Sequence, residues 1–398
     1  MSTRVIVNIG ELITNDPTMG DGSVMGRCHD GAVALDSERV LWVGPSAQAP
    51  EADEMIDAEG AAVVPGFVDS HTHLVFAGER SDEFEARMAG ERYDGGGIGR
   101  SVASTRAAST GELRRATSRR RTELLNNGVT TVEIKSGYEL TTEGEVRLLD
   151  IANSFTDEVT FLGAHVVPEE YATNREDYVD LVAGAMLAAC APLARWADVF
   201  CDDGAFSVDE SRRILLSARR AGLELRVHGN QLGDTGGVAL AVELDAASVD
   251  HCTHVSDHDV ELLASSRTVA TLLPGAEFST RSPYPSARRL LDAGATVALA
   301  TDCNPGTSYV TSMALVIALA VREMGMTCDE ALWAATRGGA IALRRDDVGV
   351  VRVGARADLV VLNAPRAAHL AYRPGGAVVG RTLCSGIERW LAVRENLE

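Results

Sequence analysis

Two histidines one residue apart, His71 and His73, close the apolar run Val63-Val64-Pro65-Gly66-Phe67-Val68-Asp69-Ser70. If that run is a strand, alternation puts both imidazoles on one side and Thr72 on the other. Two imidazoles on one side can share a metal ion. A pair of polar residues at an exposed strand end has the same spelling, so the rest of the chain must decide. His165, His228 and His251 each end a later apolar run, Lys135 and Tyr138 follow another, and Asp302 ends the last. Five of the nine histidines therefore stand at run ends, too many for isolated core histidines.

The simplest ligand set is His71, His73, His228 and Asp302. Three neutral imidazoles and one carboxylate suit one divalent ion per chain, Zn2+ or Fe2+. Such an ion keeps net positive charge and lowers the pKa of a bound water from 15.7 to about 7. Asp302 can hold the metal with one oxygen and accept a proton with the other, and His251 is placed to stabilise or protonate a tetrahedral centre. The chemistry is metal-assisted hydrolysis of a C–N bond in an amide or amidine.

Those residues need a scaffold that brings strand ends together. Val5-Ile6-Val7, Ala32–Leu35 and Val40–Gly44 near the start, and Gly349–Gly354 and Ala357–Leu362 near the end, have strand length and turn-forming neighbours. They point to one small β-sandwich domain built from both termini, residues 1–62 with 355–398. Between them, over 63–354, strand-like runs alternate with segments of helical period. After the histidine run come 128–135, 158–165, 196–201, 224–228, 247–251, 268–273 and 295–302. Ser207 and Glu210 have capping-box spacing before Arg212–Ala221, and Gly222 stands at its C-cap. Eight such units predict an α/β fold, a TIM-type (β/α)8 barrel with its chemistry at the C-terminal ends of the strands.

A formal net charge of −20 over 398 residues leaves no basic footprint for nucleic acid. No apolar stretch reaches the roughly 20 residues of a membrane span, and the first residues show no secretory signal. Seven cysteines without a CxxC pair suggest reduced thiols. The expectation is a cytoplasmic protein with a small-molecule substrate, neither nucleic acid nor membrane as partner, and a homodimer as its assembly.

Several motifs resemble the imidazolonepropionase family within the amidohydrolase superfamily. They are Pro65–Phe76 with Gly78-Glu79-Arg80, Glu133-Ile134-Lys135-Ser136-Gly137-Tyr138, Phe161–Pro168, and Asp302-Cys303-Asn304-Pro305-Gly306-Thr307. The similarity runs through nearly the whole chain in order. It implies hydrolysis of 4-imidazolone-5-propanoate to N-formimidoyl-L-glutamate in histidine degradation. By position, His71, His73, His228 and Asp302 match the family's metal ligands. Arg80, Tyr138, His165, Gln231, Asn304, Gly306 and Thr307 match its substrate contacts. An arginine fork suits the substrate's propionate, whereas on the residues alone Arg80 reads equally as a surface ion pair with Glu79 or Asp82. A ring deaminase or another cyclic-amide hydrolase shares the ligands but not Arg80 and the Asn304–Thr307 loop. A non-catalytic scaffold predicts lost ligands, and none is lost.

Three departures from the family pattern stand out. Gly229-Asn230-Gln231 lacks an acidic residue after His228. Gln231 can hold the ring by hydrogen bonds but cannot shuttle a proton, which leaves that work to Asp302 and His251. Glu139 stands in place of glycine, and the loop Tyr93–Gly99 is short. Lys135 is the chain's one lysine. Some relatives carboxylate a barrel lysine to bridge two metals, but on a different strand, so an electrostatic role or a buried ion pair is the better reading.

Overall fold

The computed structural model describes residues 3–91 and 97–391. It divides into two compact units, Met1–Asp69 with Thr122–Thr131 and Ser312–Glu398, and Ser70–Arg121 with Val132–Thr311. Residues 93–96 of the short loop singled out above lie outside the described residues. Among the described residues no helix is long and apolar enough to cross a membrane.

In the first unit, strands from both chain ends share one sheet. Its order is Ile387–Leu391, Val379–Cys384, Leu359–Leu362, Ala62–Pro65, Arg4–Ile13, Arg27–Leu35 and Val40–Pro45, with Glu54–Asp57 beside Arg4–Ile13. The two ends meet antiparallel, Val64 opposite Val360. Ile6, Leu12, Val33, Val63, Leu359 and Leu383 belong to one aliphatic core. Burial of those side chains, worth about 1.5–3 kcal/mol each, is what makes such short runs persist as strands. The strand expected at Gly349–Gly354 is a turn instead. Gly349 and Gly354 take left-handed φ values of 67° and 85°, which break the extended backbone that the intervening valines favour.

The second unit is built on a parallel sheet. Its order is Ile134–Lys135, Val159–Ala164, Trp196–Cys201, Glu224–Gly229, Ser248–His251, Val269–Leu272 and Val297–Leu299, each strand beside its neighbours in sequence. Val159–Ala164 and Val269–Leu272 are buried at every residue. That explains runs that are continuously apolar rather than alternating. Helices return the chain between strands, as at Val208–Arg220. Ser207 and Glu210 form the expected capping box there, worth about 1 kcal/mol.

Both edges of this sheet bend round to one short segment. Lys135 N–H donates to the Thr72 carbonyl, Asp302 N–H to the His71 carbonyl, and His73 N–H to the Cys303 carbonyl. The sheet is therefore curled. The strand that leads into the histidines ends at Asp69, and beyond it only Thr72 makes a bridge, to Cys303. The two histidines share a side because backbone hydrogen bonds pin both flanks of their segment. Thr72 turns the other way, its hydroxyl on the Glu133 carbonyl at 2.6 Å, as alternation along an extended segment requires.

Candidate metal centre

The C-terminal ends of the parallel strands converge on a buried cluster of imidazoles. His71 is wholly buried, and His73, His228, His251 and Asp302 are nearly so. His73 Nε2 and His228 Nε2 face each other at 3.3 Å. Asp302 Oδ1 lies 3.6 Å from His71 Nε2 and 3.7 Å from His73 Nε2. Two sets bring their ligand atoms within 4.8 Å of one another, His71 with His73 and Asp302, and His71 with His228 and His251. The four ligands expected from sequence are thus brought together, with His251 beside them.

The opposite ring nitrogens fix which atom faces inward. His71 Nδ1 lies 2.7 Å from Asp250 Oδ2, and His228 Nδ1 lies 3.0 Å from Asp198 Oδ2. An ionised carboxylate only accepts, so His71 Nδ1 carries the proton and its Nε2 offers a lone pair, whereas the His228–Asp198 approach lacks hydrogen-bond geometry at Nδ1. Burial pushes the His71, His73 and His251 imidazoles well below their ordinary range, so they are neutral. His71 Nε2 has no hydrogen-bond partner among the described residues. Neutral lone pairs and a carboxylate oxygen crowded at these distances repel unless a cation lies among them. At bond lengths of about 2.0–2.1 Å, tetrahedral ligand atoms sit about 3.3 Å apart, so the residues fit a divalent metal.

Backbone strain gathers at the same place. His251, Cys252 and Asp302 have φ values of 82°, 52° and 52°, a region costly for side chains other than glycine and asparagine. The Asp302 turn is held by the loop that follows it. Asn304 Nδ2 donates to the Asp302 carbonyl at 2.7 Å and to Thr307 Oγ1 at 2.8 Å. Asn304 Oδ1 accepts from the Gly306 and Thr307 amides, both at 2.8 Å. Thr307 Oγ1 in turn lies 3.3 Å from Asp302 Oδ2. Burial raises the Asp302 carboxyl well above the usual carboxylate range.

Around the imidazoles lie the other residues singled out by sequence. His165 stacks on His73, ring centres 5.3 Å apart. Its Nδ1 lies 2.9 Å from the Gly137 carbonyl, which can only accept, so Nε2 is left as an acceptor. Burial lowers His165 to a pKa of about 3. Tyr138 packs against both rings. Gln231 is anchored by its backbone N–H to Asp202 Oδ2 at 2.7 Å. Arg80 is buried, and its fork closes on Glu83, Nε at 2.9 Å and Nη2 at 2.6 Å. Neither surface partner considered above, Glu79 or Asp82, takes it. Nη1 is pressed against Gly306, where a Cβ would lie 2.1 Å from it. Arg87 holds the same loop by donating to the Gly306 carbonyl at 2.8 Å.

His73, Arg80, Tyr138, His165, Gln231, His251, Asp302, Asn304 and Thr307 line one cavity of about 30 Å3. Ile98 and Phe200 line it too, and they also line a hollow of about 470 Å3. The inner cavity holds about one water, so a ring-sized ligand requires these walls to part.

Apart from Lys135, expected above in an electrostatic role or a buried ion pair, the sequence reading missed the layer behind the rings. Glu133, Lys135, Asp198, Arg226 and Asp250 are buried together there. Burial pushes the Asp198 carboxyl up, but His228 and Lys135 outweigh that and hold it well below the usual range. Asp250 is lowered in the same way by Arg226 and Lys135. A signal was present. Asp198 and Arg226 are charged residues inside otherwise apolar runs, and Arg226 stands two residues before His228, on the same strand face.

A model of the amidohydrolase family matches residues 62–387. The chain is 59% identical over 386 residues to an imidazolonepropionase of Streptomyces griseus, covering 97% of this chain and 99% of that one. It is 61% identical over 389 residues to an imidazolonepropionase of Salinispora arenicola, covering 97% and 99%. Among solved structures, an adenosine deaminase from Xanthomonas campestris with bound zinc superposes with a TM-score of 0.71 at 19% identity, over 98% of this chain and 93% of that one. Its identity is low enough that the likeness speaks to fold alone. The chain belongs to the amidohydrolase family and, within it, to the imidazolonepropionases.

Proposed function

We propose that this chain hydrolyses the ring C–N bond of 4-imidazolone-5-propanoate to N-formimidoyl-L-glutamate, a step of histidine degradation. One divalent ion per chain, Zn2+ or Fe2+, is held by His71, His73, His228 and Asp302. The observation that carries the reading is their convergence, with inward-facing Nε2 atoms 3.3 Å apart at the closest, in a chain 59% identical to a named imidazolonepropionase.

When bound, the ion supplies Lewis acidity and brings the pKa of water down towards about 7. The chain's own residues do the rest. Asp302 takes the water's proton on Oδ2, the oxygen that Thr307 steadies. His251, neutral in its buried setting, donates a hydrogen bond to the oxygen on which negative charge develops. Gln231 fixes the ring through its amide, and His165 accepts through Nε2 while Tyr138 walls the ring plane. Arg80 Nη1, the donor that Glu83 leaves over, meets the propionate beside Gly306. Asn304 acts through the loop it knots together, since both ends of its amide are already engaged.

The same reading extends to the scaffold. The segment through His71–His73 serves as the eighth strand of a complete (β/α)8 barrel, a view supported by its hydrogen bonds to Lys135, Asp302 and Cys303. The chain ends make a β-sandwich domain, 1–62 with 355–398, and residues 63–354 make the hydrolase body. The protein works in the cytoplasm as a homodimer, with neither nucleic acid nor membrane as partner.

The test is turnover of freshly generated 4-imidazolone-5-propanoate by metal-replete and by chelated protein. Metal-dependent loss of the imidazolone absorbance with formation of formimidoylglutamate is expected. No turnover with stoichiometric metal bound overturns the substrate, and a panel of ring-deaminase and cyclic-amide substrates then follows.

A further inference from the structure

Lys135 is the only lysine in the chain, and its side chain is wholly buried. An ammonium taken out of water must be matched by acceptors or lose its charge. Nζ lies 2.8 Å from Asp198 Oδ2, 2.9 Å from Glu133 Oε1 and 3.9 Å from Asp250 Oδ2. Each of these three carboxylates holds a different part of the metal centre.

Asp198 reaches His228 twice, at Nδ1 through Oδ2 (3.0 Å) and at the backbone N–H through Oδ1 (3.1 Å). Asp250 takes Nδ1 of His71 at 2.7 Å. Glu133 takes the backbone N–H of Thr72 on Oε2 at 3.1 Å, and its carbonyl accepts the Thr72 hydroxyl at 2.6 Å. Thr72 is the residue between the two histidines, so this carboxylate sets the spacing of the pair. Arg226 braces the assembly by donating to Asp250 Oδ2 at 3.2 Å and to the Ser70 carbonyl at 2.7 Å.

We infer that Lys135 is a positioning residue for the metal: its single ammonium gathers Asp198, Asp250 and Glu133, which orient His228, His71 and the backbone between His71 and His73. The inference rests on the ligand set proposed above. Stability alone gives no reason to keep the cluster, because a well-packed apolar substitute for buried ions is often as stable or more so. Ligand geometry does, because partners behind a ligand histidine fix its tautomer and ring angle. The same contacts rule out a carboxylated, metal-bridging Lys135. A carbamate there would set a fourth negative group against three, on the Nδ1 side of the rings and away from the Nε2 atoms.

The test compares zinc affinity of the wild type and E133Q/K135M by competition with a chromogenic chelator. The double substitution removes one buried charge of each sign. Expected is a zinc Kd about 10–100-fold weaker, with the melting temperature of the metal-free protein recorded alongside. A lysine that serves only the fold lowers that temperature and leaves Kd unchanged. An equal Kd in the two folded proteins therefore overturns the inference and leaves the ligand set standing. A wild type that takes up no zinc overturns both.

Should the variant fail to fold, wild-type protein labelled with 15N-lysine decides the matter, because Lys135 is then the sole source of a side-chain ammonium resonance. Its signal is expected to move when zinc is added. A resonance unmoved at stoichiometric zinc overturns the inference.

Discussion

The sheet made by the chain ends and the curled parallel sheet bury their charges differently. In the first, the core is aliphatic, and the nearby ion pairs keep one foot in water. Arg27 with Glu11 and Arg356 with Asp358 each leave the arginine 22% exposed. In the second, Lys135, Glu133, Asp198, Arg226 and Asp250 meet at zero exposure. Full desolvation of paired ions is a poor source of stability, so it is found where orientation matters more than strength. One sheet holds the fold together by area, and the other spends some of that stability on aim.

Four substitutions break or sharpen that contrast. Asp302→Asn has the largest effect, because on the proposed mechanism it removes both a proton acceptor and a negatively charged metal ligand. Turnover is expected to fall by about 10^3-fold or more, with zinc content measured on the same sample. Retained activity would remove Asp302 from the centre of the mechanism. Leu12→Ala, in the aliphatic core, is expected to cost about 2–5 kcal/mol in denaturant unfolding. The folded fraction should keep wild-type KM and metal stoichiometry. A changed KM would mean the two sheets do not divide their labour as described.

Glu277 probes the pH side of the comparison. It is buried, its Oε1 accepts from Thr253 Oγ1 at 2.7 Å, and burial raises its carboxyl to about 7 from an ordinary 4.5. A raised folded-state pKa means that no cost falls below the unfolded value. Stability is then lost as pH climbs from about 4.5 to about 7. Between pH 5 and pH 8, Glu277→Gln should lose less stability than the wild type, by on the order of 3 kcal/mol. Parallel pH profiles for the two proteins would show that the carboxyl ionises as it does in water.

Arg80→Ala has the smallest expected effect. Loss of a charge-assisted contact to the remote propionate, about 1.5–3 kcal/mol, raises KM with little change in kcat. An unchanged KM would assign Arg80 to its pair with Glu83 and leave the propionate to another group.

The proposed ligands were legible because the strands before them are mostly apolar, so a histidine or aspartate at a run end stands out in His71-Thr72-His73, His228 and Asp302. The capping box at Ser207 and Glu210 was legible for a similar reason, since its spacing is local. Gly349–Gly354 misled because valines between glycines suit a strand as well as a turn until φ is known. Asp198 and Arg226 were passed over because a charge inside an apolar run has no local partner to explain it. Arg80 was recognised, but its partner Glu83, one helical turn away, was not. Nothing local chooses among three nearby acids.

The sequence by itself determined the kinds of group at the strand ends, the composition of each strand, and the family to which their order belongs. Only the tertiary structure decided which nitrogen of each ring faces the centre. His71 owes its tautomer to Asp250, 179 residues away, and His228 is held by its backbone N–H to Asp198, one strand over. Hydrogen bonds across a curled sheet connect residues that no local spacing relates, and those bonds turn a set of histidines into a site.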